Sequence, residues 1–77
     1  MENKVREVLI KELNLSRDAD VSELKYGVSP NWDSSGQLNL ALALEDSFGV
    51  EFGPEEMVKL VTHADICEQL RRKGISK

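Results

Sequence analysis

The sequence predicts an all-α fold of four helices, with a long loop between the first two helices and a short third helix. Two observations predict this class: apolar residues recur at helical spacing in several segments, and no segment shows the alternation expected of a strand. The chain has 77 residues, too few for two separate cores, so we expect one domain over residues 1–77. Hydrophobic residues make up 40% of the chain and aromatic residues 5%, which predicts a largely aliphatic core.

The first helix is predicted over residues 2–13, where apolar side chains recur at helical spacing and charged ones occupy the other side. Asn14 and Ser16 end this pattern, and residues 14–32 are polar and irregular. A connection of this length is unusual in a small domain, so it is either functional or contains a short helical turn. The side chains expected to anchor it to the core are Val21, Leu24, Tyr26 and Val28.

The second helix is predicted from Ser34 to Phe48, with Gly49 in position to end it. Asp33 or Ser34 can act as its N-cap, and Ser34 with Gln37 forms the Ser-x-x-Gln pattern of a capping box. The side chains expected to face the core are Leu38, Ala41, Leu42, Leu44 and Phe48. The small side chains of Ala41 and Ala43 either leave room for a ligand between helices or are simply good helix formers.

Two further helices complete the predicted fold. A short third helix begins at Pro54, a favoured first-turn residue, and acidic residues follow it in the first turn. A fourth helix follows Thr62, which forms a weaker capping box with Asp65, and Gly74 can end it. The residues expected on one face of the fourth helix are His63, Ile66, Cys67 and Leu70.

Charge is distributed unevenly along the chain and disfavours one class of function. The formal net charge is −4, yet residues 18–57 contain nine acidic residues and one basic residue, Lys25. This acidic middle either steers a basic partner or is a solvated surface. It disfavours nucleic-acid binding, which requires clustered Lys and Arg.

No segment is apolar enough to span a membrane or serve as a signal peptide, and Cys67 is the only cysteine, so we expect a cytoplasmic protein. The pattern of His, Cys, Asp and Glu residues predicts no metal site.

Ser34 is the strongest candidate for a functional residue. A serine at a helix start is ordinarily just an N-cap. If its oxygen carried a phosphodiester, however, the free backbone N–H groups and the positive end of the helix dipole would stabilise the negative charge. Gly36 costs helix stability, and we interpret it as leaving the approach to this backbone uncrowded.

Two blocks of sequence around this serine form a recognisable pattern. Residues 32–40 (WDSSGQLNL) and residues 43–52 (ALEDSFGVEF) resemble the core of discrete, type II acyl carrier proteins, in the variety found in specialised bacterial pathways. In that family an Asp-Ser-Leu motif opens the second helix, and an Ala-Leu-Glu-x-x-Phe-Gly segment follows. The resemblance extends over nearly the whole chain, and it implies the same four-helix fold.

The resemblance implies a carrier that catalyses nothing itself. Ser34 matches the serine to which a phosphopantetheinyl transferase attaches 4′-phosphopantetheine from coenzyme A, with Asp33 and Gly36 beside it. The arm then carries acyl intermediates of fatty acid, polyketide or related lipid biosynthesis as thioesters. Partner enzymes with basic patches are expected to bind the otherwise monomeric carrier, and the residues that match this docking surface are Ser35, Leu38, Glu45, Asp46 and Glu51.

The sequence departs from the family pattern directly after the modified serine. Ser35 stands in place of the usual leucine, and Gly36 in place of a frequent acidic residue. Ser35 also supplies a second hydroxyl beside Ser34. Three alternatives therefore remain open: a helical interaction domain that is never modified, a carrier of aminoacyl groups, and a helix-turn-helix DNA-binding domain, which the acidic second helix disfavours.

Overall fold

The computed structural model describes residues 2–75 and confirms the predicted all-α fold, with no strand among these residues. Its four α-helices are α1 (Glu2–Glu12), α2 (Ser34–Phe48), α3 (Pro54–Met57) and α4 (His63–Arg72). None of the helices in this part of the chain is long and apolar enough to cross a membrane.

Helix α1 supplies one wall of the core. Val5, Leu9 and Leu13 are completely buried, as their helical spacing predicts. The helix ends at Glu12, but the backbone N–H of Leu13 still donates to the carbonyl of Leu9 at 2.9 Å. Asn14 then adopts a left-handed φ of 54°, which asparagine tolerates better than most residues, and the chain leaves the helix there.

The long loop after α1 contains the predicted short helical turn, a 3-10 helix over Val21–Glu23. Asp20 caps this turn by accepting a hydrogen bond from the Ser22 backbone N–H at 3.1 Å. Val21 is buried as predicted, and Leu24 and Tyr26 pack against the core while partly exposed.

Val28 does not anchor the loop, and that prediction is wrong. Its side chain is 75% exposed, because it lies in a turn in which Val28 and Ser29 both donate backbone hydrogen bonds to Lys25. Trp32 anchors this part of the loop, with only 1% of its surface exposed. Its burial leaves Trp32 unavailable for contact with a partner.

Helix α2 has the predicted bounds but buries a different face. Gly36, Leu40 and Leu44 are buried at intervals of four residues, together with Ala41. Leu38 and Leu42 were predicted to face the core and instead are 52% and 55% exposed. Gly49 ends the helix with a left-handed φ of 67°, and its N–H donates to Glu45 O at 2.8 Å.

Helices α3 and α4 begin at the predicted residues. The side chain of Glu56 accepts a hydrogen bond from Gly53 N–H at 2.8 Å and pairs with Lys73 Nζ at 2.9 Å, which joins α3 to the end of α4. These two hydrogen bonds, with Lys73 contributing most, hold the pKa of Glu56 below its usual value. At α4, Thr62 Oγ1 accepts from Asp65 N–H at 3.1 Å, as the predicted cap requires.

Candidate functional site

Asp33 fixes the start of α2 and therefore the position of Ser34. Its backbone is extended, its Oδ1 accepts from Gly36 N–H at 2.9 Å, and its carbonyl accepts from Gln37 N–H at 2.7 Å. Asp33 is thus the N-cap and Ser34 the first helical residue. The predicted capping box between Ser34 and Gln37 does not form, because the Gln37 side chain binds elsewhere.

Ser34 lies exposed at the positive end of a 15-residue helix. Its Oγ is 3.5 Å from the hydroxyl of Tyr26, which lies in the long loop. Within residues 2–75, the backbone N–H groups of Ser34 and Ser35 donate to no acceptor. Both therefore remain available to an anion on Ser34, where the helix dipole also favours negative charge.

Gly36 has a packing role that differs from our interpretation of it. The residue is buried, and a Cβ added to it would lie 2.0 Å from the carbonyl oxygen of Asn31. The space beside Gly36 is therefore filled by the preceding loop and does not offer an uncrowded approach. Asn31 is held there by its own side chain, whose Nδ2 donates to Leu13 O at 2.8 Å. Glycine is needed at this position because the loop and helix backbones touch.

A hydrogen-bonded cluster that the sequence did not predict lies directly behind the helix start. Trp32 Nε1 donates to Gln37 Oε1 at 2.7 Å. Gln37 Nε2 in turn donates to the backbone carbonyls of Met57 at 2.8 Å and Leu60 at 3.0 Å. We call this set of three hydrogen bonds the Gln37 clamp. It joins the loop before α2, the first turn of α2, and the chain that leaves α3.

An apolar groove runs beside Ser34 between α2 and α3, with a volume of about 260 Å³. Val58 and Leu38 form its exposed apolar walls, at 74% and 52% exposure. A larger groove of about 660 Å³ borders α1 and Ser47, near the opposite end of α2 and about 20 Å away along the helix. The groove beside Ser34 is therefore the one relevant to this site. The residues that line it are Tyr26, Ser34, Gln37, Leu38, Met57 and Val58.

The predicted docking residues separate into two groups. Ser35, Leu38 and Asp46 are exposed on α2, and Glu51 is exposed in the loop that follows. Glu45 is only partly exposed, and its Oε2 accepts a hydrogen bond from Phe52 N–H at 2.8 Å. The Glu45 carboxylate therefore holds the loop after α2 in place in addition to presenting charge.

Cys67 and His63 do not form a second reactive centre. Cys67 is 3% exposed, and burial raises the pKa of its thiol, so the reactive thiolate form is disfavoured. Its Sγ lies 4.0 Å from His63 Nε2, a weak contact between neighbours on α4. In the part of the chain that the structure describes, no group of three or more His, Cys, Asp or Glu side chains could hold a metal ion.

Comparison with known proteins finds relatives that share one name. The chain is 33% identical over 70 residues to the acyl carrier protein of Thermosynechococcus vestitus, a match that covers 91% of this chain and 86% of the relative. It is 32% identical over 74 residues to the acyl carrier protein of Campylobacter hominis, covering 96% and 94%. The acyl carrier protein of Bdellovibrio bacteriovorus is 28% identical over 71 residues, covering 92% and 91%. No protein-family model matches the chain, and no solved structure gives a significant match.

Proposed function

The chain belongs to the acyl carrier protein family, and we propose that Ser34 is the residue to which its 4′-phosphopantetheine arm is attached. Proteins of this family carry acyl groups in lipid biosynthesis and are not enzymes. When attached, the arm supplies the thiol that binds the acyl group as a thioester. The observation that carries the assignment is the exposed Ser34 hydroxyl at the first position of α2, next to two backbone N–H groups without an acceptor in the described residues.

The residues around Ser34 fit the chemistry of a phosphopantetheine group. The N–H groups of Ser34 and Ser35 and the dipole of α2 suit the negative phosphodiester. The apolar groove beside Ser34 suits the less polar part of the arm, which would otherwise expose its carbon atoms to water. Asp33 contributes by capping the helix, since this keeps Ser34 in the first turn with its hydroxyl directed outward.

Partner enzymes bind, in this proposal, on the exposed face of α2. The family requires a phosphopantetheinyl transferase and enzymes that handle the acyl group. Leu38 and Asp46 present apolar and acidic surface to such partners, and Glu51 adds charge beyond the helix. We expect Glu45 to contribute less than these residues, because its carboxylate is partly buried and accepts a hydrogen bond from Phe52 N–H. A cytoplasmic location and a monomeric state stay predictions.

Mass spectrometry tests the attachment site. The purified protein is incubated with coenzyme A and a broad-specificity phosphopantetheinyl transferase, and its intact mass is measured beside Ser34→Ala and Ser35→Ala. We expect the wild type and Ser35→Ala each to gain one phosphopantetheine and Ser34→Ala to gain none. Modification of Ser34→Ala together with its loss in Ser35→Ala would move the site to the neighbouring hydroxyl.

A wild-type protein that no transferase modifies would contradict the proposal more broadly. Ser35→Leu then becomes the informative variant, because it restores the apolar contact that other carriers present after the modified serine. Modification of this variant alone would show that Ser35 blocks the transferase. Continued absence of modification would favour a helical interaction domain that keeps the carrier fold without the arm.

A further inference from the structure

The Gln37 clamp spans the space between α2 and the chain that leaves α3, directly beside Ser34. Gln37 lines the groove beside Ser34 and reaches across it to the carbonyls of Met57 and Leu60. Its amide oxygen accepts from Trp32 Nε1, so both polar atoms of the side chain have partners. The clamp therefore ties α2 to the chain leaving α3 at the base of the groove.

The space behind the clamp is filled by side chains. Trp32 is 1% exposed, and Leu40, Leu60 and Ile66 are completely buried. Protein interiors of this kind are packed as tightly as organic crystals, so an added acyl chain has to displace existing side chains. Ala41, whose small size suggested room for a ligand, is 2% exposed and belongs to the same packed cluster.

Opening the clamp would also break its hydrogen bonds. An acyl chain passing between α2 and the chain after α3 would separate Gln37 from all three of its partners. The Trp32 indole N–H and two backbone carbonyls would then face methylene groups, which offer no hydrogen bond. A small or polar acyl group has little apolar surface, so burying it releases too little free energy to offset the lost hydrogen bonds. Such a group can therefore remain in water at little cost in free energy.

On the premise that Ser34 carries the arm, we propose that this protein keeps its acyl group outside the helical bundle, with the Gln37 clamp as the element that excludes it. The cargo class that fits is an acyl group with little apolar surface, meaning a short or polar acyl group, aminoacyl groups included. A long saturated chain would be exposed at the open groove between Leu38 and Val58.

The test compares thioesters of two chain lengths on the wild-type protein. A transferase loads acetyl- or octanoyl-phosphopantetheine from the corresponding coenzyme A thioester, and cleavage by hydroxylamine is followed by intact mass. We expect the two cleavage rates to agree within about twofold, because neither group is sheltered. Octanoyl cleavage slower than acetyl cleavage by about fivefold or more would show burial and overturn the proposal.

Nuclear magnetic resonance supplies a readout that does not depend on the thioester. The indole N–H resonance of Trp32 and the amide resonance of Leu60 report on the clamp and on the core behind it. We expect both to be the same in the acetyl and octanoyl forms. A shift of both resonances with octanoyl alone would mean that the chain has entered the bundle, which contradicts the proposal.

Gln37→Ala identifies the clamp as the cause, with Asn39→Ala, an exposed position on the same helix, as the matched control. In folded Gln37→Ala we expect octanoyl cleavage to slow at least about threefold relative to acetyl cleavage, while the control behaves like the wild type. Equal rates in folded Gln37→Ala would overturn the role of the clamp. If Gln37→Ala does not fold, the wild-type comparison still decides where the chain lies. If the wild type accepts no arm at all, the assignment of Ser34 is refuted. That result differs from one in which the arm is attached and the octanoyl thioester is protected, which refutes only the present proposal.

Discussion

Replacing Gln37 by glutamate isolates the energetic role of the clamp, because the two side chains have nearly the same shape. The acceptor for Trp32 Nε1 is kept, whereas the group that donates to Met57 O and Leu60 O becomes a carboxylate oxygen. Two hydrogen bonds are lost, and two carbonyls are left facing a negative charge. Each hydrogen bond contributes about 1 kcal/mol, and the unpaired carbonyls add a further penalty. We therefore expect the free energy of unfolding to fall by about 2–4 kcal/mol at neutral pH.

This loss is a large fraction of the total stability. A chain of 77 residues is expected to have a free energy of unfolding of about 4–12 kcal/mol. For a domain of this size, about 1 kcal/mol shifts Tm by roughly 4–8 °C, so Gln37→Glu should lower Tm by at least about 8 °C. Urea denaturation at pH 7, followed by circular dichroism, measures the free energy directly.

Asn39→Asp is the matched control for the added charge. Asn39 is exposed on the same helix, so this change also converts an amide to a carboxylate but breaks no hydrogen bond within the described residues. We expect it to alter stability by less than about 0.5 kcal/mol. If the free energies of unfolding of Gln37→Glu and Asn39→Asp agree within about 0.5 kcal/mol, the clamp contributes nothing measurable to stability, and its assigned role is refuted.

Three further predictions test other contacts by urea denaturation and chemical modification. Gly36→Ala should cost about 1–3 kcal/mol, because the new methyl group meets Asn31 O, and wild-type stability would contradict this. Glu56→Gln should lower the urea midpoint at pH 7, and its difference from the wild type should shrink as the pH is lowered. Lys73 holds the folded pKa of Glu56 below its usual value, so this stabilisation is present above the usual pKa and is lost as pH falls through the folded pKa; a difference that does not change with pH would contradict this. Cys67 should react slowly with iodoacetamide until urea unfolds the protein, and rapid native labelling would disprove its burial.

The bounds of the helices were predictable because local chemistry determines them. Asp33 can cap α2, Gly49 can adopt the left-handed conformation that ends it, and Pro54 and Thr62 suit the starts of α3 and α4. Each signal depends on residues within one turn of the boundary. This is why the predicted start of every one of these helices agrees with the structure.

The buried face of α2 was not predictable to the same degree. Every residue from Leu38 to Leu44 except Asn39 is apolar, and such a run supports more than one helical face. Packing selects the face that contains Gly36, Leu40 and Leu44, because the backbone of the preceding loop touches Gly36 and aligns the helix. That contact is tertiary, and no local sequence pattern predicts it.

The position of Ser34 was predictable for the same local reason, but its surroundings were not. Tyr26 is eight residues before Ser34 in the chain, and the carbonyls bound by Gln37 are 20 and 23 residues after Gln37. The one available signal was the indole of Trp32, because a buried tryptophan usually finds a hydrogen-bond acceptor. That rule predicts that an acceptor exists, and only the fold identifies it as Gln37.

The exposed leucines of α2 change how the departure at Ser35 should be interpreted. Ser35 removes an apolar contact from the first turn, but Leu38 and Leu42 are half exposed and lie within about 60° of it around the helix. Apolar surface that the sequence assigned to the core is therefore available to partners one and two turns further along. Asp46 continues the same face with a negative charge. We therefore expect partner enzymes to contact α2 nearer its middle than its start, so that Leu42→Ala weakens their binding more than Ser35→Ala does.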